Sequence, residues 1–222
     1  AWALSAQNID GNGYNTAVGY LAGEDVTTGV RNTLIGSLAG DALTTGDNNV
    51  VLGFNALSAE TQGDRSIAIG TDALAAQNHT SDTDVHNIAI GFQAGAAVST
   101  GIDNTLIGGL AGDALTVGNS NVAVGTYALS ADTKGDRNVA IGRAALQVQN
   151  FTTTTDSYNT AVGYGAGELV TTGTHNTFIG GQAADANTTG YYNVAVGASA
   201  LSANTTAISN TAVGFEAAKN IT

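Results

Sequence analysis

The chain of 222 residues has no cysteine, no proline and no methionine, and aromatic residues make up only 6% of it. Without cysteine there is no disulfide, no thiolate nucleophile and no thiolate metal site. Without proline, every residue keeps the N–H that an uninterrupted backbone ladder needs. So few aromatic rings cannot fill a thick core, although 43% of the residues are hydrophobic, many of them Ala and Val. These absences favour a thin, regular stack of small side chains.

Basic residues are also scarce, with 6 Lys and Arg against 18 Asp and Glu and a formal net charge of −12. An acidic surface repels phosphate backbones and anionic membranes, so no nucleic acid is expected as a partner. No apolar run approaches the length of a membrane span and no signal peptide is visible, so no membrane insertion is expected. Because the chain starts with Ala, it is expected to be a mature product or an excised segment.

A five-residue unit of the form NTAVG, first found at residues 15–19, recurs twelve times. The glycines that end successive units are 17 residues apart, except for two spacings of 21. Self-similarity at a short fixed period marks a repeat architecture in which each unit contacts only its neighbours. The sequence therefore predicts an all-β parallel β-solenoid (β-roll) of about twelve 17-residue coils.

Every fourth unit carries four extra residues, which creates a second period of 72 residues. This period divides the chain into super-repeats at approximately 15–86, 87–158 and 159–222. No linker or change of composition interrupts them, so residues 1–222 are predicted to form a single β-solenoid domain. Residues 1–8 align with residues 71–78, so the chain begins inside a repeat.

Within a unit, the Asn that opens NTAVG is numbered place one. Places two and four are mostly β-branched, and place three is Ala, Leu, Val or Phe. Residues two apart on a strand share a face, so places two and four face one side and place three the other. Apolar residues on both sides indicate a strand whose two faces are both buried. We expect places two and four to fill the interior of the coil and place three to point away from it.

Four places carry further regular signals. Gly at place five occurs in every copy, which indicates a positive φ or a close backbone approach. Where place nine is Gly, place twelve is a large aliphatic, as in Gly40 with Leu43; where place nine is Leu, place twelve is polar, as in Leu57 with Glu60. This exchange predicts that both places border one core slot of fixed volume. The Asn at place one either forms a carboxamide ladder between coils or simply suits a turn.

The NTAVG and NVAIG units, with GxxAL and TTG segments between them, resemble two groups of proteins. One group is the head domain of trimeric autotransporter adhesins, a left-handed parallel β-roll; the other is the repeat shaft of phage tail-fibre and related surface-fibre proteins. The likeness covers essentially the whole chain. It implies a trimeric, extracellular attachment structure. The chain departs from the adhesins in its longer unit and in lacking a coiled-coil stalk and a membrane anchor.

Place three forms a continuous apolar stripe that is too large to leave in water on a soluble monomer. The sequence and the resemblance together predict a homotrimer with this stripe at the threefold axis, with end-to-end stacking of copies as a further self-contact. A dimer is the alternative on physical grounds. The largest side chains of the stripe mark the predicted trimer interface: Leu34, Leu106 and Phe178.

The irregular segments 9–14, 79–86 and 151–158 are the predicted recognition loops, because loops tolerate change that stacked coils do not. Their aromatic and polar groups suit weak, multivalent contact with a cell-surface glycan, a protein receptor or a neighbouring fibre. The alternative is that they are solvated bulges. The candidate recognition residues are Tyr14, His79, Asp82, Asp84, His86, Phe151, Asp156 and Tyr158.

The sequence predicts no enzyme, no cofactor and no metal site. Asp82 and Asp84 could ligate Ca²⁺, but the matching loop offers only Asp156, which disfavours that reading. The predicted function is a structural fibre or adhesin segment, a rigid trimeric rod for attachment to a host or surface, located outside the cell in a cell-surface or virion fibre. The alternatives are an ice-binding β-solenoid, suggested by the recurring TTG threonines, and a self-assembling extracellular filament subunit.

Overall fold

The computed structural model describes residues 2–9 and 11–220, and within these ranges it contains sixteen strands and no helix long and apolar enough to cross a membrane. Twelve of those strands form one sheet, called the main sheet below. Its strands are β1 (Thr16–Val18), β2 (Thr33–Ile35), β3 (Val50–Leu52), β5 (Ile67–Ile69), β7 (Ile88–Ile90), β8 (Thr105–Ile107), β9 (Val122–Val124), β11 (Val139–Ile141), β13 (Thr160–Val162), β14 (Thr177–Ile179), β15 (Val194–Val196) and β16 (Thr211–Val213). The remaining strands are β4 (Gly63–Asp64), β6 (Thr83–Asp84), β10 (Gly135–Asp136) and β12 (Thr155–Asp156).

The main sheet is parallel throughout, and its strands follow one another in chain order. Thr16 pairs with Thr33, one 17-residue unit away, and across the first insertion Ile67 pairs with Ile88. The chain is therefore a parallel β-solenoid with about twelve coils and a 17-residue spacing, as predicted. At about 4.8 Å per coil the main sheet is roughly 50 Å long.

In the described chain, the other side of each coil forms a second, short strand only at the insertions. There β4 pairs with β6, and β10 pairs with β12. In the other coils of the described ranges this side consists of turns. Backbone bonds still connect one coil to the next, as when Thr27 N–H donates to the Thr44 carbonyl at 2.9 Å. The turns therefore stack in register without meeting the geometry of a strand.

Place five requires glycine for two reasons. At Gly125 the φ angle is +134°, a conformation that side chains rarely adopt, and a Cβ would lie 2.6 Å from the carbonyl carbon of Gly142 in the next coil. The same combination recurs at this place from coil to coil, for example at Gly108. Both roles that the sequence indicated for this glycine are confirmed.

The strands face the opposite way from the prediction. Place three is buried in the core of the single chain, except in the first coil, where Ala17 is partly exposed, whereas places two and four are partly or largely exposed. In β8, for example, Leu106 has no exposed surface, and both Thr105 and Ile107 are partly exposed. The prediction that places two and four fill the interior was therefore wrong. The alternation was correct, but the choice of the inner face was not.

Large side chains at place three fill volume that glycines leave open. A Cβ on Gly23 would lie 2.5 Å from Leu34, and a Cβ on Gly40 would lie 3.0 Å from the same side chain. Leu106 fills the same space beside Gly95 and Gly112. Place three therefore shares its core volume with place nine of the same coil and of the preceding coil.

The exchange between places nine and twelve is confirmed as a volume exchange. A Cβ on Gly23 would meet Val26 at 3.2 Å within the same coil, so an aliphatic side chain at place twelve covers the glycine at place nine. Where place nine is leucine, the leucine itself lies in the core, as Leu57 does. The polar residue at place twelve is then also buried, as Glu60 is.

The Asn at place one connects coils as well as closing them. Asn32 Nδ2 donates to the Gly46 carbonyl of its own coil at 2.8 Å, and its Oδ1 accepts the backbone N–H of Asn49 in the next coil at 2.8 Å. Both residues are fully buried. Of the two readings of this Asn, the ladder is the one observed, although most of its bonds run from side chain to backbone.

Candidate interaction surface

The exposed side of the main sheet carries two columns of apolar and threonine side chains. This outer face consists of places two and four of each coil and contains no charged residue. Its middle residues, such as Ile107 and Val124, are partly exposed. Its last strand has no neighbour on one side, and Val213 there is 69% exposed. A surface of this kind is unusual on a chain with a net charge of −12.

A third exposed column follows directly after each place-five glycine and borders the outer face. At this place six, several coils present a large aromatic ring, and the coils between them mostly present a small residue. The rings are well exposed; Phe54, for example, is 53% exposed. This aromatic edge consists of Tyr20, Phe54, Phe92, Tyr164 and Phe215. Sequence reasoning missed it because the rings are interspersed with Ser, Thr, Gly, Ala and one Arg.

Exposed apolar surface is concentrated on these columns. In residues 2–9 and 11–220, eleven of the eighteen exposed large hydrophobic side chains lie on the outer face or the aromatic edge. At about 4.8 Å per strand and about 3.4 Å per residue, the outer face alone covers on the order of 500 Å². Patches of this size are at the upper end of what soluble monomers expose and commonly mark interaction sites. Together with the aromatic edge it approaches the ~800 Å² that each partner contributes to a standard interface.

The predicted trimer-interface residues do not lie on this surface. Leu34, Leu106 and Phe178 have no exposed area and belong to the core of their own chain. They cannot contact another copy of the chain while the coil is folded. The prediction that they form an interface was wrong. Alternate residues of each strand lie either in the core of the chain or on the outer surface of the sheet, and these three lie in the core.

The predicted recognition residues separate into two groups. Two of them are buried: His79 is 7% exposed and Phe151 is 6% exposed. Each begins an insertion and lies beneath it, so neither is available to a receptor, and their assignment as recognition residues was wrong. The others lie on the surface of the described chain: Tyr14, Asp82, Asp84, His86, Asp156 and Tyr158.

His79 instead belongs to a buried polar cluster with Glu60. Glu60 Oε2 is 2.9 Å from His79 Nδ1, and it also accepts a hydrogen bond from Gln77 Nε2 at 2.9 Å. Glu60 Oε1 accepts backbone N–H groups, including those of Gly63 at 2.8 Å and His79 at 2.9 Å. Burial alone raises the pKa of Glu60, but these hydrogen bonds, led by His79, outweigh it and lower the pKa to about 2. The hydrogen bond that His79 donates to Glu60 in turn raises the pKa of His79.

The coils that carry the insertions 79–86 and 151–158 are called the first and second long coils. The second long coil repeats this cluster without the histidine. Asp132 accepts hydrogen bonds from Gln149 Nε2 at 2.6 Å and from Gly135 N–H at 2.9 Å, but Phe151 occupies the position of His79. Here burial dominates and raises the pKa of Asp132. The two clusters differ in the acid, Glu60 against Asp132, and in the residue beside it, His79 against Phe151.

The first of the two threonines in each TTG segment is engaged within the rod. The first threonine of each TTG segment directs its hydroxyl at the next coil: Thr27 Oγ1 donates to the Thr44 carbonyl at 3.1 Å, and Thr44 Oγ1 donates to the Thr61 carbonyl at 2.9 Å. These bonds explain why threonine recurs there without reference to any ligand.

Among the residues that the structure describes, no group of three or more His, Asp or Glu side chains could hold a metal ion. Comparison of the chain with protein-family models, with curated proteins and with solved structures found no match.

Proposed function

We propose that this chain is a structural segment of an extracellular attachment fibre, a rigid rod that assembles with two further copies of itself through the outer face. The observation that carries the proposal is the uncharged, partly exposed outer face along the whole main sheet. The resemblance to trimeric adhesin heads and to fibre shafts supports the number three and the location in a cell-surface or virion fibre.

The energetics favour association. Burying on the order of 500 Å² per chain contributes roughly 10 kcal/mol of gross stabilisation, from which the cost of association is subtracted. The core of each coil is already complete, since place three is buried within the chain. Copies of the rod therefore associate as folded units and do not need to exchange strands.

The test is the mass of the chain in solution. Sedimentation equilibrium is expected to give three times the 22.0 kDa of one chain. Val124→Lys places a charge in the middle of the outer face and is expected to return the mass to that of one chain, because an unpaired buried charge is costly. Val117→Lys is the matched control, since the next coil carries Lys134 in the same column.

Two results contradict the proposal. One is a monomeric wild type. The other is a Val124→Lys variant that keeps the mass of the wild type. A mass of two chains would retain the outer face as the contact but replace the threefold arrangement with a dimer.

A thermal-hysteresis assay distinguishes an ice-binding solenoid from the proposed fibre segment. Because the first threonine of the TTG segments donates its hydroxyl within the rod, these side chains do not present a free array of donors. A measurable freezing hysteresis that survives the loss of assembly would favour ice binding over a fibre. A filament subunit is recognised by a mass that grows with concentration.

A further inference from the structure

Three rings stack along one corner of the rod in coils that follow one another. The centroids of Tyr158 and His175 are 5.3 Å apart, and those of His175 and Tyr192 are 4.9 Å apart, with tilts of 41° and 49°. Tyr191 meets Tyr192 edge-on at 5.4 Å, and the Arg137 guanidinium lies 5.6 Å from the Tyr158 centroid. We call Tyr158, His175, Tyr191 and Tyr192 the corner ladder.

The backbone places these rings on the surface. Each of the residues that directly precede a place-one residue has a positive φ between 49° and 60° in the described chain, which turns its side chain out at the corner. Consecutive corner residues are fixed in register, as when Tyr192 N–H donates to the Thr174 carbonyl of the coil before it at 3.2 Å. Tyr158 is 46% exposed and Tyr192 is 56% exposed. The stack is therefore ordered and open to a ligand.

Large exposed rings held in this way are suited to recognition. Tyrosine supplies a broad amphipathic contact area with few rotatable bonds, and mutual stacking restricts the rings before a ligand arrives. Binding then loses little side-chain entropy. A purely structural corner does not need the rings, since Ser120 and Ser209 occupy equivalent corner positions.

We propose that the corner ladder binds an uncharged saccharide chain. Sugar rings have apolar C–H faces that cover aromatic rings and hydroxyl rims that bond to Tyr hydroxyls and an imidazole. Charge favours a neutral ligand, because the chain carries −12 and Arg137, the basic residue that lies over Tyr158, is already paired with Asp156. The proposal rests on the proposed attachment function, and it places the contact at the corner of coils eight to ten, which keeps only Tyr158 of the predicted recognition residues.

The experiment uses chitotetraose, cellotetraose and maltotetraose as neutral probes, tetragalacturonate as the anionic probe, and a proline-rich peptide as the competing class of ligand. Saturation-transfer NMR and calorimetry measure binding to the full chain. At least one neutral tetrasaccharide is expected to bind with a Kd on the order of 1 mM, as for a small, shallow contact. The assembled rod is expected to bind a multivalent form more tightly.

Tyr192→Ser and Tyr158→Ser are each expected to weaken saccharide binding by about tenfold or more, because aromatic anchors dominate small interfaces. Tyr14→Ser is the matched control: Tyr14 occupies the same corner column, and no other ring in the described chain stacks on it. All three variants replace a corner residue with the Ser that occurs naturally at Ser120, so they are expected to fold.

The outcomes separate this inference from the proposed assembly. The ladder lies within one chain, so the monomeric Val124→Lys variant is expected to bind the single tetrasaccharide as the wild type does. The proposal is overturned if no neutral tetrasaccharide binds at about 10 mM. It is also overturned if Tyr14→Ser weakens binding as much as Tyr192→Ser, or if only the anionic sugar or the peptide binds.

Discussion

Replacing Glu60 with Gln tests how the first long coil holds its buried carboxylate. The substitution keeps the shape of the side chain and leaves one oxygen for the backbone N–H groups of Gly63 and His79. It replaces Oε2, which faces two donors, Gln77 Nε2 and His79 Nδ1, each at 2.9 Å. The amide nitrogen that replaces this oxygen is itself a donor, so it cannot accept these two hydrogen bonds. Glu60→Gln is therefore expected to destabilise the coil.

The magnitude follows from the pKa of Glu60, which falls from 4.5 to about 2 on folding. At 1.36 kcal/mol per unit, the folded coil prefers the charged carboxylate by roughly 3 kcal/mol. This contribution is fully present above pH 4.5 and is lost as the pH falls toward 2, because the folded pKa lies below the unfolded one. His79 has the opposite sign: its raised pKa gives a contribution present below 6.5 and lost as the pH rises through its folded value.

The second long coil supplies the matched comparison, since the pKa of Asp132 is raised by burial. Burial makes the charged form of Asp132 less favourable in the folded coil than in the unfolded chain, so Asp132→Asn is expected to destabilise less than Glu60→Gln, although Gln149 Nε2 also faces the replaced oxygen. The assay is amide hydrogen exchange by NMR at Gly63 and Gly135, whose N–H groups donate to the two carboxylates. At about pH 5.5, Glu60→Gln is expected to reduce the protection of Gly63 by about a hundredfold.

The same measurement can refute the reasoning. Equal losses at Gly63 in Glu60→Gln and at Gly135 in Asp132→Asn would show that the hydrogen bond between His79 and Glu60 makes no difference to stability. His79→Phe, which copies Phe151 into the first coil, is expected to abolish the pH dependence at Gly63 above 6.5. If His79→Phe keeps the pH dependence of protection at Gly63, a group other than His79 is responsible for it.

The remaining predictions concern packing. Gly125→Ala is expected to cost about 3 kcal/mol or more, because it combines a positive φ with a backbone clash, whereas Gly109→Ala, with open space around it, is expected to be nearly neutral in thermal unfolding. Asn187→Leu is expected to raise the free energy of unfolding by about 2 kcal/mol, because both polar atoms of this buried side chain lack partners. Urea unfolding checks it against Asn204→Leu, which is expected to destabilise because Asn204 Oδ1 accepts the Ala207 N–H at 2.9 Å. If the two Leu variants shift together, the unpaired atoms of Asn187 do not limit stability.

The architecture was predictable because it depends on spacing. Stacked coils require the same backbone shape at each level, so the glycine at place five must recur with the period of the fold, and Gly125 and Gly142 do so. The volume exchange between places nine and twelve is equally visible in the sequence. Both signals come from steric limits that admit very few residue types.

The inner face of the strand was not predictable from alternation, because both faces of the strand are apolar. A period of two groups residues by face but does not say which face is inside. A usable signal was nevertheless present. Leu34 and Leu106 occur where place nine is glycine in their own coil and in the preceding coil, as at Gly23 and Gly40. That coincidence of volumes assigns place three to the core.

The buried clusters and the corner ladder depend on contacts between unlike residues. His79 was read as a loop residue because nothing in its neighbourhood along the chain identifies Glu60 as its partner. His175 joins Tyr158 and Tyr192 only because the coils stack in register, and no composition rule selects that corner. Contacts of this kind are visible only in the folded structure.

Two neighbouring residues of β8 test the central claim most directly, that the exposed side of the main sheet joins copies of the rod while place three maintains each coil. Leu106→Ala removes a fully buried side chain and is expected to lower the free energy of unfolding by about 2–5 kcal/mol while the assembled mass stays the same. Ile107→Lys changes the exposed face and is expected to give the mass of one chain with the coil still folded. Mass by sedimentation and folding by circular dichroism are measured on both variants. The claim is contradicted if Ile107→Lys keeps the assembled mass, or if Leu106→Ala dissociates the copies without destabilising the coil.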